Sequence, residues 1–292
     1  MTEKTLSASS REIILKMQQN ELNESVIYHE IAKFAKGEHN REVLNRLADE
    51  EAGHYAVWQS YTKADLKVQK AKVFKYKLFA RIFGFTFAVK LMERGEAGAQ
   101  KEYEKLLSEV PESASIRKDE EEHEAALLEI LDEERLQYVG SMVLGLNDAL
   151  VELTGSLAGF TFALGEARLI ALSGLIIGIS ATFSMAASEF LSARSEGRDD
   201  ALKSCTYTGT AYLVTVALLV LPYLLFQNVY VALACMIAMV LLIIAAFSYY
   251  TSVALSRPFF ARFFEMAGIS VGVAVLSFVV GIAAKALLGV DL

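Results

Sequence analysis

At 292 residues and 54% hydrophobic content the chain is long enough for about two domains, and its net charge of −7 excludes a nucleic-acid-binding role because no basic face stands apart from acidic neighbours. Residues 1–135 hold 26 of the 35 acidic residues, 21 of the 28 basic ones and all four histidines, whereas the remainder is built from long runs of Leu, Val, Ile, Ala and Phe. The two cysteines, Cys205 and Cys235, form no Cys-x-x-Cys, which excludes a zinc ribbon, a rubredoxin-like iron site and a disulfide framework.

The first ten residues (MTEKTLSASS) are polar, so no cleavable signal peptide is expected and the first domain should stay in the cytosol. Helices are predicted over 11–36, 40–62, roughly 84–108 and 114–135, where Gly and Pro are almost absent and apolar residues recur at three and four. Breaks fall at Gly37-Glu38-His39-Asn40 and Val110-Pro111-Glu112-Ser113. Four such helices with one long second-to-third connection make a bundle with a single crossover. That connection carries Lys63, Lys67, Lys70, Lys72, Lys75, Lys77 and Arg81 among Val73, Phe74, Tyr76, Leu78 and Phe79. Basic residues interleaved with aromatics suit the headgroup layer of a cytoplasmic leaflet, and they equally suit an amphipathic helix packed on the bundle or on a dimer partner.

Two Glu-x-x-His pairs stand in this half, Glu51 with His54 and Glu120 with His123. A spacing of three puts a carboxylate and an imidazole on one helix face, so each pair can hold a metal from one side. A Glu from each of the other two helices would complete a di-metal site, and Glu21 or Glu24 together with Glu93 and Glu96 are available. Tyr28 lies two turns beyond Glu21 on nearly the same face. His29 and His39 lack a ligand spacing.

The second half resolves into five expected spans, 139–164, 168–191, 207–226, 229–252 and 265–288, each near the ~20 residues that cross a bilayer. Loop 192–206 carries Arg194, Arg198 and Lys203, and loop 256–264 carries Arg257 and Arg262. The positive-inside rule then places the N-terminal domain in the cytoplasm and the C-terminus outside. Span one contains Asn147, Asp148 and Glu152, and span two contains Met185 and Glu189. An ionisable group at the bilayer centre costs roughly 3 kcal/mol, so these carboxylates are expected to face a shared interior or a wet path. Carboxylates, an amide and a thioether suit a first-row divalent cation, and the same carboxylates bind protons, which opens a route to metal/proton exchange. Gly155-x-x-x-Gly159, Gly174-x-x-x-Gly178 and Gly268-x-x-x-Gly272 offer smooth faces for helix contact.

On these residues the first half resembles the rubrerythrin branch of the ferritin-like di-iron proteins. The resemblance implies an iron site, with Mn²⁺ as a second candidate, held by Glu21 (chosen over Glu24 because Tyr28 follows it by seven), Glu51, His54, Glu93, Glu96, Glu120 and His123. The second half, through Gly145-Leu-Asn-Asp148-Ala-Leu-Val-Glu152-Leu-Thr-Gly155 and Ser184-Met185-Ala-Ala-Ser-Glu189, resembles the vacuolar iron transporter family. That likeness implies a homodimeric five-span transporter exchanging Fe²⁺ or Mn²⁺ for protons, with Asp148 and Met185 on its path. Two departures stand out: the loop between spans two and three is short, where eukaryotic members carry a metal-binding insert, and no Cys₄ site for electron delivery can form.

The expectation is therefore an all-α protein of the cytoplasmic membrane. A ferritin-like bundle over 1–137 collects metal, and a five-helix membrane domain over 138–292 exports Fe²⁺ along Asn147, Asp148, Glu152, Met185 and Glu189. The alternative is a membrane-tethered di-iron oxidase or peroxidase. An anchor needs one span and no buried carboxylates, which argues against it.

Overall fold

The computed structural model describes residues 6–96, 106, 109–129 and 138–288. The side chains of Glu93 and Glu96 lie outside the described residues. Among these residues there are ten α-helices and no strand, divided between a unit at Met1–Leu136 and a unit at Gln137–Leu292.

In the first unit α1 (Ala8–Ala32) and α2 (Glu38–Thr62) pack along each other. Helix α1 begins three residues earlier than its apolar periodicity predicts, because the Ser7 hydroxyl accepts from the Ser10 N–H at 3.1 Å and caps the first turn. Gly37, at φ 87°, makes the turn into α2, a backbone conformation that costs glycine nothing. The basic connection contains a helix of its own, α3 (Lys70–Phe83), which stops at Gly84 (φ 97°) before α4 (Phe85–Glu96). The fifth helix, α5 (Ser113–Glu129), reaches α2. Two apolar clusters result. One joins Tyr28, Ile31, Leu44, Leu47, Ala48 and Met92; the other joins Ile14, Met17, Trp58, Leu106 and Ile116.

Helix α3 is fastened to α1 by charge as well as by packing. Lys72 Nζ lies 3.5 Å from Glu24 Oε1, and Lys77 donates to Glu30, which also accepts from Lys33. Those lysine hydrogen bonds pull the Glu30 carboxyl from 4.5 down to about 2. A folded-state value below the ordinary one means the native state resists protonation. The stabilisation is therefore present above pH 4.5 and disappears as pH falls toward about 2. Glu30→Gln should flatten the acid limb of unfolding across that window, as read by circular dichroism against pH.

The second unit is organised around α6 (Val139–Ala163), which touches α7 (Ala167–Ser195), α8 (Ala201–Leu225), α9 (Val229–Ala254) and α10 (Phe259–Leu288). Its buried side presents Ala149, Leu150, Leu153 and Leu157 to the core. Among the described residues four helices, Ala167–Ser195, Ala201–Leu225, Val229–Ala254 and Phe259–Ala283, are long and apolar enough to cross a membrane. Helix α6 has the length, at 25 residues, but Asn147, Asp148 and Glu152 dilute its apolar character. The helices outrun the expected spans: α7 continues to Ser195 and α8 starts at Ala201, so the loop expected over 192–206 shrinks to 196–200. An apolar run reports where hydrocarbon ends, whereas a helix continues into water while its backbone bonds persist.

Glycine permits the tight crossings. A Cβ on Gly145 would sit 2.5 Å from the Thr208 carbonyl oxygen, and one on Gly178 would sit 2.4 Å from Val216 Cγ1. Because Val216 is stiff about χ1, Gly178→Ala should cost about 1–3 kcal/mol. Thermal unfolding in detergent should show a lowered midpoint that Val216→Ala restores. Gly268 and Gly272 meet nothing within 4 Å.

Candidate metal centre and membrane cavity

The first constellation lies between the two apolar clusters of the first unit. Three members of the two Glu-x-x-His pairs are buried there, Glu51 at 1% exposed, His123 at 4% and His54 at 6%, together with Glu21 at 3%, while Glu120 is partly buried. Glu51 spans the two rings, with Oε2 3.3 Å from His54 Nδ1 and Oε1 3.2 Å from His123 Nδ1. Glu120 spans them from the other helix, at 3.3 Å from His54 Nδ1 and 3.9 Å from His123 Nδ1. The rings stack at 5.6 Å between centroids. Glu21 Oε2 approaches His54 Nδ1 at 3.8 Å, and its other oxygen accepts from the Trp58 indole N–H at 3.1 Å. Ligand atoms of Glu21, Glu51, His54 and Glu120 all lie within 4.8 Å of one another. Between the two carboxylates that α1 offered, Glu21 joins this group and Glu24 pairs with Lys72. Tyr28 is fully buried in the neighbouring cluster.

The outer nitrogens of both histidines are also engaged. His54 Nε2 lies 3.4 Å from Asp119 and His123 Nε2 lies 2.8 Å from Glu50. Each of these acids immediately precedes the Glu of the opposite motif, so the two halves orient each other's imidazoles reciprocally. Such a carboxylate holds Nε2 protonated and turns Nδ1 toward the centre. Reading Glu-x-x-His alone misses this. The readable signal is the longer repeat, acid-Glu-x-x-His, in Glu50-Glu51-Ala-Gly-His54 and Asp119-Glu120-Glu-Glu-His123.

Burial dominates the electrostatics of the carboxylates. It pushes Glu21 well above the ordinary carboxyl range, with Glu51 and Glu24 adding repulsion, and it raises Glu51 to about 7. Glu120 is raised for the same reason. Burial disfavours the His54 cation, but hydrogen bonds to Glu120, Glu21 and Glu51 outweigh it and hold the imidazolium above its usual range. Carboxylates crowded in a dry interior need compensating positive charge, from protons or from metal. The donor set, three carboxylates and two imidazoles on convergent faces, fits a first-row divalent metal.

The second constellation lies in the membrane-type unit. Asp148 and Glu152 of α6 line one open cavity of about 410 Å³ with Ser180, Ser184 and Met185 of α7. Glu152 accepts a 2.7 Å hydrogen bond from the Tyr212 hydroxyl, and it remains exposed on the single chain. Ser180 and Tyr212 were not anticipated; Tyr212 lies 60 residues from Glu152 and only the packing of α8 reveals it. The other two expected path residues point elsewhere. Asn147 lines a separate cavity of about 240 Å³ with Thr251, Arg257, Arg262 and Glu265, and its buried side-chain oxygen has no hydrogen-bond partner. Glu189 accepts from Ser141 at 2.9 Å and from Ser204.

A family model described as the VIT (vacuolar iron transporter) family matches residues 139–199, the stretch that contains α6 and α7. No curated protein and no solved structure matches the chain. The matched segment holds both carboxylates and the thioether of the 410 Å³ cavity. Four described helices of spanning length and this match together indicate an integral membrane protein with a segment similar to the VIT family, and metal-ion transport across membranes is the activity that this family suggests.

Proposed function

We propose that the protein exports Fe²⁺, with Mn²⁺ as a second cargo, from the cytoplasm in exchange for protons, and that it works as a homodimer in the cell membrane. The observation that carries this reading is the convergence of Asp148, Glu152 and Met185, with two serine hydroxyls, on one cavity inside the family-matched segment. A carboxylate in that setting holds either a proton or a cation, so an arriving metal displaces protons, and protons arriving from the far side release the metal. Tyr212 donates to Glu152 and orients it, leaving one carboxylate oxygen for cargo. The exposure of Glu152 on the single chain is unfavourable in lipid, and a second copy would cover it. Helix α6 serves as the fifth span, placing the N-terminal unit in the cytoplasm.

In the same reading the N-terminal unit is a ferritin-like collector. Glu21, Glu51, His54, Glu120 and His123 would hold iron there, with Glu93 and Glu96 as further ligands, and bound iron would supply one-electron redox chemistry. The residues themselves present Nδ1 and carboxylate oxygens inward, exclude water with Trp58 and its apolar neighbours, and keep both imidazoles oriented through Asp119 and Glu50. The test is metal-driven proton movement in proteoliposomes against a panel of divalent ions. Fe²⁺ entry accompanied by opposing proton flux is expected. Fe²⁺ entry with no pH change would remove the exchange mechanism.

A further inference from the structure

Helix α3 carries two apolar faces, one packed on the core of the first unit and one exposed. Tyr76 and Ala80 are buried in the first unit's core, with Val73 and Phe79 packed against it. On the opposite side Phe74, Leu78 and Ile82 are 68%, 41% and 54% exposed. They stand one turn apart along a single line, and Ala71 falls on that line too. Three large apolar side chains in a row on a helix surface mark an interaction face rather than scattered exposure.

The charges around the stripe identify what it meets. Lys72 and Lys77 are committed to Glu24 and Glu30, which fastens the helix by its inner side. Lys63, Lys67, Lys70, Lys75 and Arg81 remain exposed, and Asp65 is the one acidic residue between 63 and 83. At 3.6 residues per turn, Lys70 and Arg81 flank the stripe on one side and Lys75 on the other. Lys75 lies 5.1 Å from the Tyr76 ring centroid and Arg81 5.5 Å from that of Phe34. A partner must therefore offer hydrocarbon beneath a negative surface. A second copy meeting this face by two-fold symmetry would bring basic rim against basic rim. An anionic lipid leaflet supplies both features, and a chain already inserted in a membrane keeps that surface at high effective concentration.

We infer that α3 docks on the anionic headgroup layer, with Phe74, Leu78 and Ile82 inserted at the acyl boundary and Lys70, Lys75 and Arg81 on lipid phosphates. The exporter reading is not needed for this, since the face and its charges stand whether or not metal moves. The test uses the full chain with Cys205→Ser, Cys235→Ser and Ala71→Cys, labelled at position 71 with bimane and placed in nanodiscs. Discs contain phosphatidylcholine alone or with phosphatidylglycerol, each with or without bromine on the acyl chains. Bromine quenching should be strong in the anionic discs, weak in the neutral ones and reduced by added salt. Lys70→Gln and Lys75→Gln should each lower the docked-to-free ratio about fivefold. Phe74→Ser should lower it as well, with helix content unchanged by circular dichroism. Equal quenching in neutral and anionic discs, or no quenching in either, would overturn the proposal. Quenching that instead requires a spin-labelled second copy would overturn it in favour of a protein–protein face.

Discussion

Asp148→Ala should carry no Fe²⁺ flux above the protein-free background, a loss of more than ~100-fold, with the helix content and detergent stability of the parent chain. The magnitude follows from what the side chain does in the proposed site. Losing an outer-sphere partner already costs about 10–100-fold in metal affinity, and Asp148 is a candidate direct ligand. Folding should survive because Asp148 lines an open cavity rather than the α6 core of Ala149, Leu150 and Leu153. Removing an ionisable group from a membrane helix, if anything, eases its insertion. Asp148→Asn is the sharper variant, since it keeps the volume and removes the exchangeable proton. Glu189→Gln should have the smaller effect, because Glu189 accepts from Ser141 and Ser204 outside the cavity. Undiminished flux through Asp148→Ala would sink the transport path.

The second large effect is expected in the N-terminal unit. Glu51→Ala should abolish the thermal stabilisation of the protein by Fe²⁺ or Mn²⁺, measured as a midpoint shift on metal addition. Glu51 is the carboxylate that spans both histidines, so its loss affects both halves of the centre together. A metal at about 100 times its Kd stabilises by roughly 2.7 kcal/mol, and a 100-fold weaker site retains little of it. Asp119→Asn, which leaves the inner donors in place and loosens His54, should weaken binding by about 10–100-fold. The parent's metal-dependent shift should shrink as pH falls below about 7, because burial raises Glu51 to about 7 and protons then compete with metal for its oxygens. A full metal-dependent shift in Glu51→Ala would remove the centre. Iron-dependent oxygen consumption by the parent but not by Glu51→Ala would make the N-terminal unit a catalyst rather than a collector.

Much of this was legible in the chain itself. Periodicity predicted helices where the described residues form them, and the contrast between charged and apolar halves suggested two domains. Spacing put Glu51 with His54 and Glu120 with His123 on shared faces, and Asp148 with Glu152 one turn apart. These are local properties: 3.6 residues per turn converts separation along the chain directly into a shared face. The Ser7 cap was missed because one side-chain hydrogen bond extended α1 against an uninformative polar sequence. The sequence left 70–83 open between a headgroup-layer segment and a packed amphipathic helix, because that segment is apolar on two sides.

What composition and spacing determine here is local: an all-helical chain, half of it suited to lipid, with carboxylates and imidazoles in pairs. Only the tertiary arrangement decided that α2 and α5 turn both pairs on one centre, that Asp119 and Glu50 tie each other's histidines, and that Asp148 and Met185 share a cavity while Asn147 faces a different one. These are relations between residues dozens of positions apart. They depend on how helices rotate and slide in contact, where a Gly145 or a Gly178 permits an approach that any larger residue blocks. A repeat of three or four along one helix fixes which residues lie side by side, and close packing between helices selects what they face.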